Sequence, residues 1–230
     1  MCGVAGFFVP GLGGDGESMT RAAVVMGSTL AHRGPDDEGT WVDPEASIAL
    51  AHRRLSIIDL SPQGHQPMVS ASGRYVLAYN GEIYNFRSLR GQLEETGHRF
   101  RGHSDTEVLL SGVAEWGLEK TLRRANGMFA LALWDQSSRQ LLLARDRVGK
   151  KPMYFGWVNG KFAFASELKA VLALEGARPR VDRNALALYL RYNYVPAPHS
   201  IYEGIYKLLP GTILSVTPEM AGHERRYEEL

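Results

Sequence analysis

The sequence predicts an α+β fold built in layers, with antiparallel rather than βαβ connectivity. Three observations carry this. The stretch CGVAGFFV near the start is apolar on both alternating faces, as a strand covered on both sides must be. The chain after residue 126 is a run of hairpins. Between these regions lie helical patterns whose apolar faces need a sheet to cover.

The elements follow in order. After CGVAGFFV comes a Gly-rich loop, PGLGGDGE, and then Met19, Ala22, Ala23, Met26 and Leu30 recur at helical spacing behind Ser18, a candidate cap. HRGPDDEG ends that helix, because Pro35 disfavours helix in the residue before it. SIALAHRRLSIID and RYVLAYNGEIYN read as strands. FRSLRGQLEETG reads as a helix with Phe86, Leu89 and Leu93 inward and Gly97 as its stop. SDTEVLLSGVAEWG opens on a capping box, Ser104 to Glu107, and closes on Gly117. MFALALWD and QLLLARD flank a polar turn, and PMYFGWV and KFAFAS flank Asn159-Gly160, a strong two-residue hairpin signal. Helices are expected from Ser166 and after Asp182. The stretch VPAPHSIYEGIYKLLPGTILSV reads as a connecting segment with one short strand pair, and HERRYEEL as a polar ending without a fold of its own. The expected division is a domain over 1–178 and a linker over 179–230.

Composition narrows the function classes. The chain has 230 residues, 44% apolar and 22% charged, an ordinary globular balance. A formal net charge of +1 with no basic run points to neither nucleic acid nor a membrane surface. No apolar stretch approaches transmembrane length, no basic-then-apolar leader precedes CGVAGFF, and Cys rather than Gly follows Met1, which argues against myristoylation. The expected location is cytoplasmic. A single cysteine rules out an internal disulfide framework and a Cys-based zinc site. The seven histidines form no metal-ligand spacing, so no metal site is expected. GLGGDG fits the dinucleotide-binding pattern, but Pro10 breaks the strand before it and no second parallel strand with an acidic tip follows. It reads as a surface loop. Neither the serine-hydrolase elbow nor the phosphate-cradling loop is present.

The lone Cys2 stands beside the initiator methionine. It is either a small apolar core residue or, once Met1 is removed, a nucleophile carrying its own base in the free α-amine. A nucleophile would need oxyanion donors, a cation for a substrate carboxylate and an anion for a substrate ammonium. Candidates interrupt apolar segments: Arg54, Asn80-Gly81-Glu82 and Asp105. Each has an ordinary structural alternative: an exposed ion pair for Arg54, a type I′ turn for Asn80-Gly81 and a helix-dipole acid for Asp105. Local signals leave these alternatives open.

Taken in series, MCGVAGFF, HRGPDDEG, RLSIIDL, GHQPM, YNGEIYN, SDTEVLL, NGMFALALWD, ARDRVGKKPMYF and ASELKAVL resemble the class II glutamine amidotransferases, in particular the glutaminase half of glutamine-dependent asparagine synthetases. The resemblance implies an N-terminal nucleophile hydrolase fold, a four-layer αββα sandwich with two antiparallel sheets. It implies Cys2 as nucleophile and Asn80 and Gly81 as oxyanion donors. It also implies Arg54 as the grip on the glutamine α-carboxylate, with Leu55, Ser56, Ile57 and Ile58 lining the pocket, and Glu82 and Asp105 on the α-ammonium. L-glutamine is the implied substrate and a synthetase domain in cis or trans the implied partner; a homodimer is a further expectation, apart from the resemblance. ATP and Mg are expected only at that synthetase domain, whose Ser-Gly-Gly-x-Asp-Ser loop does not occur in these residues, so no cofactor is expected in this chain. A related amidotransferase with another acceptor, or a non-catalytic scaffold, are the alternatives.

Overall fold

The computed structural model describes residues 1–11 and 13–217 and, for the main chain alone, 226–229. Six strands form the first sheet. In sheet order they are β10 (Ile205–Lys207), β8 (Tyr154–Val158), β9 (Lys161–Ala165), β1 (Gly3–Phe8), β3 (Ile48–Arg54) and β2 (Asp37–Asp43). The second sheet runs β12 (Arg226–Glu229), β11 (Thr212–Val216), β7 (Gln140–Arg145), β6 (Gly127–Asp135), β5 (Tyr75–Ile83) and β4 (Met68–Val69). Every pairing between these strands is antiparallel. Helices α1 (Gly16–Ser28) and α5 (Leu168–Leu172) cover the first sheet, and α2 (Phe86–Glu95), α3 (Asp105–Trp116) and α4 (Leu118–Arg124) cover the second. The order is therefore helix, sheet, sheet, helix, the αββα sandwich.

Three apolar layers follow from this stacking, and β1 explains why its sequence is apolar throughout. Its Phe8 enters the layer between the sheets, where it meets the buried Trp134 ring at 5.3 Å. Its Phe7 points the other way, under α1 and α5. A strand serving two cores has no polar face to show. Truncating either ring to Ala would open a cavity costing about 3–5 kcal/mol.

Local signals behave as expected where the chain meets only itself. Asn159 and Gly160 adopt positive φ, 49° and 74°, between β8 and β9. Asp182 caps α6 (Arg183–Tyr192) by accepting from the N–H groups of Asn184 and Ala185. Ser104 caps α3 by accepting from Glu107 N–H, but the capping box is half made. The Glu107 carboxylate instead accepts from the N–H groups of Arg101 (2.8 Å) and Gly102 (2.9 Å), holding the loop before the helix. For α1 the cap is Asp15, which accepts from Ser18 N–H, rather than Ser18.

The largest correction concerns 179–230. The expected strand pair in VPAPHSIYEGIYKLLPGTILSV is two strands that go to different sheets. β10 pairs with β8 and β11 with β7, extending each sheet at its rim. Ile205, Leu208 and Leu214 are buried. The segment is part of the sandwich rather than a loosely docked connector, because apolar residues without helical period can still dock on a sheet edge. The polar ending likewise contributes β12, paired with β11. Residues 218–225 and 230 of the expected linker lie outside the described residues.

Candidate functional site

The antiparallel β1–β3 pair sets Gly3 opposite Arg53, so Cys2 and Arg54 emerge at the same end of the first sheet. The far half of β5 packs across from them. Between the sheets opens a cavity of about 200 Å³ lined by Cys2, Arg54, Asn80, Gly81, Glu82 and Asp105. Leu55, Ile57 and Ile58 also line it, while Ser56 does not: its N–H donates to the Asp36 carboxylate at 2.8 Å. A space this size suits a ligand smaller than a drug molecule. Residues as far apart in sequence as Cys2 and Lys151 are thereby gathered at one place.

Cys2 is partly buried. Its S–H lies 3.7 Å from the Leu55 carbonyl, and Leu55 N–H donates to the sulfur at 3.4 Å. Burial pushes the thiol pKa up, against the pull of the Leu55 hydrogen bond, the N-terminal charge and Arg54. The resting sulfur is thus a thiol that needs a base. Met1 lies at the cavity, 57% exposed, and its removal would leave the Cys2 α-amine there.

Asn80 and Gly81 are not a turn. β5 runs unbroken from Tyr75 to Ile83, with Asn80 opposite Ala130 and Gly81 opposite Phe129. Pairing along a whole apolar strand outweighs the local preference of Asn-Gly for a hairpin. The Asn80 side chain is 1% exposed and its amide nitrogen has no hydrogen-bond partner among the described residues. A buried, unpaired donor costs stability and calls for a reason. Gly81 is required sterically: a Cβ there would meet the Met128 carbonyl oxygen at 2.5 Å and the Tyr79 ring at 2.7 Å.

Arg54 is buried rather than a surface ion pair. Its guanidinium donates to the carbonyls of Ser61 (3.1 Å) and Asp59, which aim the rest of the fork into the cavity. A Cβ on Gly64 would collide with that guanidinium, so the loop after β3 needs glycine there. Asp105, the first residue of α3, is held across the layers: its carboxylate accepts from Tyr79 O–H (2.8 Å) and Ile83 N–H (2.9 Å). Burial nevertheless raises its pKa, opposed by those hydrogen bonds. A cation arriving beside it would relieve that burial cost. The helix-dipole alternative therefore describes where Asp105 starts, not what its carboxylate faces.

Several supporting groups escaped the sequence reading. His52 Nε2 donates to the Tyr79 carbonyl at 2.9 Å, tying β3 to β5 just before Asn80. Burial pushes this imidazole down to about 4, so at neutral pH it is uncharged. Tyr79 N–H donates to Gln66 Oε1 at 2.7 Å. Asp59 accepts from Ser61 N–H and His103 N–H, both at 2.8 Å, and lies at about 2: burial opposes its ionisation and these hydrogen bonds outweigh it. Arg33 donates from Nε to the Cys2 carbonyl (2.9 Å) and pairs with Glu167 (2.9 Å). Lys151 also lines the cavity. In sequence these are a strand histidine, a loop acid and two ordinary cations, with no spacing that marks them.

Two antiparallel sheets between helical layers, with a thiol at the head of an inner strand and donors on the facing sheet, make up the four-layer sandwich of the N-terminal nucleophile hydrolase fold. The chain belongs to the glutamine amidotransferase domain family, whose family model matches residues 1–228. It is 37% identical over 224 residues to "Asparagine synthetase [glutamine-hydrolyzing] 3" of Bacillus subtilis, covering 95% of this chain and 35% of that protein. It is 39% identical over 225 residues to a "Putative asparagine synthetase [glutamine-hydrolyzing]" of Mycobacterium bovis, covering 92% and 34%. The chain thus spans about a third of the length of these relatives. Among solved structures it superimposes on the glutamine phosphoribosylpyrophosphate amidotransferase of B. subtilis with a TM-score of 0.72 at 20% identity, covering 99% of this chain and 49% of that one. At that identity the likeness is one of fold.

Proposed function

We propose that this chain hydrolyses L-glutamine to glutamate and ammonia through a Cys2 thioester, and that the ammonia serves ATP-dependent asparagine synthesis from aspartate by a synthetase domain in cis or trans. The observation that carries the first part is the buried, unpaired Asn80 amide in the same cavity as the Cys2 sulfur. A donor left without a partner next to a nucleophile suits an oxyanion that exists only during reaction. A free amino acid carries one charge of each sign, and the cavity opposes both, with Arg54 for the carboxylate and Asp105 and Glu82 for the ammonium. The names of the relatives support the second part.

In this reading the Cys2 α-amine, exposed by removal of Met1, takes the thiol proton. The sulfur attacks the side-chain amide carbon, and Asn80 and the Gly81 N–H hold the oxyanion. The C–N bond breaks as the α-ammonium protonates the departing ammonia. Water then attacks the thioester, the C–S bond breaks, and glutamate leaves with the thiol restored. ATP and Mg belong to the synthetase reaction. No helix of the described residues is long and apolar enough to cross a membrane, and we place the reaction in the cytoplasm.

The test is to assay glutamate and asparagine together, with and without ATP, Mg and aspartate, after mass spectrometry has established the N-terminus. Glutamate release independent of these additions is the expected result. Absence of glutamate from a chain that begins at Cys2 would favour a scaffold. Separately, Arg54→Lys and Asp105→Asn should each raise KM by about 10–100-fold with a smaller effect on kcat, as expected for charged contacts of roughly 1.5–3 kcal/mol remote from the amide. Lysine cannot reproduce the two-pronged grip of arginine on a carboxylate. A drop in kcat at unchanged KM would move these residues out of the binding role.

A further inference from the structure

The loop after β7 delivers a lysine into the nucleophile's cavity with no neighbour bonded to its ammonium. Asp146 is fully buried, and its carboxylate accepts from the N–H groups of Phe129 (3.1 Å), Val148 (3.2 Å), Lys150 (2.9 Å) and Lys151 (3.0 Å). Arg145 donates to the carbonyls of Gly149 (2.6 Å), Lys151 (2.7 Å) and Leu208 (2.6 Å). The main chain of Lys151 is therefore held at both its N–H and its C=O. Lys150 is exposed, whereas Lys151 is 6% exposed and reaches the cavity that holds Cys2. Lysine is rarely buried this far without a partner. Among the described residues, the Lys151 ammonium has neither a hydrogen bond nor an ion pair.

The surroundings indicate what this charge answers. Lys151 senses Arg33, Cys2, Glu82 and Asp146, and burial followed by the Arg33 charge makes its own ammonium less favourable. Cys2 in turn faces the N-terminal amine, Arg54 and Asp105. With Met1 in place, the Met1 amine faces Cys2, Arg33, Lys151 and Asp36. In the glutamine reading, the two charges of the substrate match Arg54 and one of the two acids. Lys151 faces the other acid, Glu82, and the sulfur, and of these two only the sulfur gains negative charge during the reaction.

We propose that Lys151 is a positioning residue for the nucleophile: its ammonium, held in the same cavity, stabilises the Cys2 sulfur as a thiolate. This moves the onset of thiol reactivity to lower pH. The inference rests on Cys2 being the nucleophile.

The readout is the pH dependence of Cys2 alkylation by iodoacetamide, followed by mass spectrometry on chain that begins at Cys2, without glutamine. Lys151→Met is expected to move the midpoint up by roughly half to one pH unit, slowing alkylation about 3- to 10-fold near neutral pH, with the rates converging at high pH. Lys151→Arg should restore the midpoint. Should Lys151→Met fail to fold by circular dichroism, Lys151→Gln is read in the same way. A midpoint unmoved in the folded neutral variant, or one that Arg does not restore, overturns the role of Lys151. Because alkylation needs no turnover, that outcome leaves the glutaminase reading standing, whereas glutamine hydrolysis surviving Cys2→Ala would overturn the reading itself.

Discussion

Replacing Cys2 by Ala is expected to reduce glutamine hydrolysis by on the order of 10⁴-fold or more, to the level of the uncatalysed control, because no other thiol exists in the chain to form the thioester. The fold should survive. Cys2 lies just before β1 rather than within it, and its sulfur makes two long contacts, both with Leu55. The loss of stability should stay below about 1 kcal/mol, a few degrees in melting temperature for a domain of this size. The measurement is paired: glutamate release and a thermal melt on the same preparation. Parent-like turnover in a folded Cys2→Ala chain would remove the nucleophile assignment. Loss of both activity and fold would instead return Cys2 to the apolar core.

The second large effect is expected at Asn80. Asn80→Ala should lower kcat by about 10²–10³-fold, the scale of removing one oxyanion donor, with little change in KM. Its effect on stability separates the two histories of this residue. An Asn that shaped a turn would destabilise the chain when replaced. Here the amide nitrogen is buried and without a partner, so its removal deletes an unfavourable group. The melting temperature should hold or rise while kcat falls. A destabilised variant with normal kcat would make Asn80 a structural residue and leave the oxyanion to Gly81 and others.

Much of the architecture was legible because the relevant forces are local or periodic. An all-apolar first strand announces a layer on each side of it, and Phe7 and Phe8 do enter different cores. Asn159-Gly160 needs only its own backbone to form a turn, and Asp182 needs only the next three residues to cap α6. β2 and β4 escaped notice for the opposite reason. β2 is a half-exposed edge strand with no clean alternation, and β4 has two residues; both exist because a partner strand offers free hydrogen bonds. The same holds for β10, β11 and β12, whose docking on sheet edges converts an expected linker into part of the sandwich.

By itself, the sequence determined the types of chemistry at hand: one thiol behind a removable methionine, an arginine, an Asn-Gly pair and an acid at a helix start, in a layered α+β chain. Tertiary structure decided which of these meet and in what state. Strand pairing with β6 turned Asn80 from a turn residue into an unpaired donor. The loop from Asp59 to Gly64 turned Arg54 inward. Asp146 and Arg145 selected Lys151 over the adjacent Lys150 as the cation in the cavity. The physical reason is common to all three. Side-chain identity is local, but burial, ionisation and the lack of a hydrogen-bond partner are properties of the surroundings, and residues far apart in the chain create those surroundings only when the sheets close on each other.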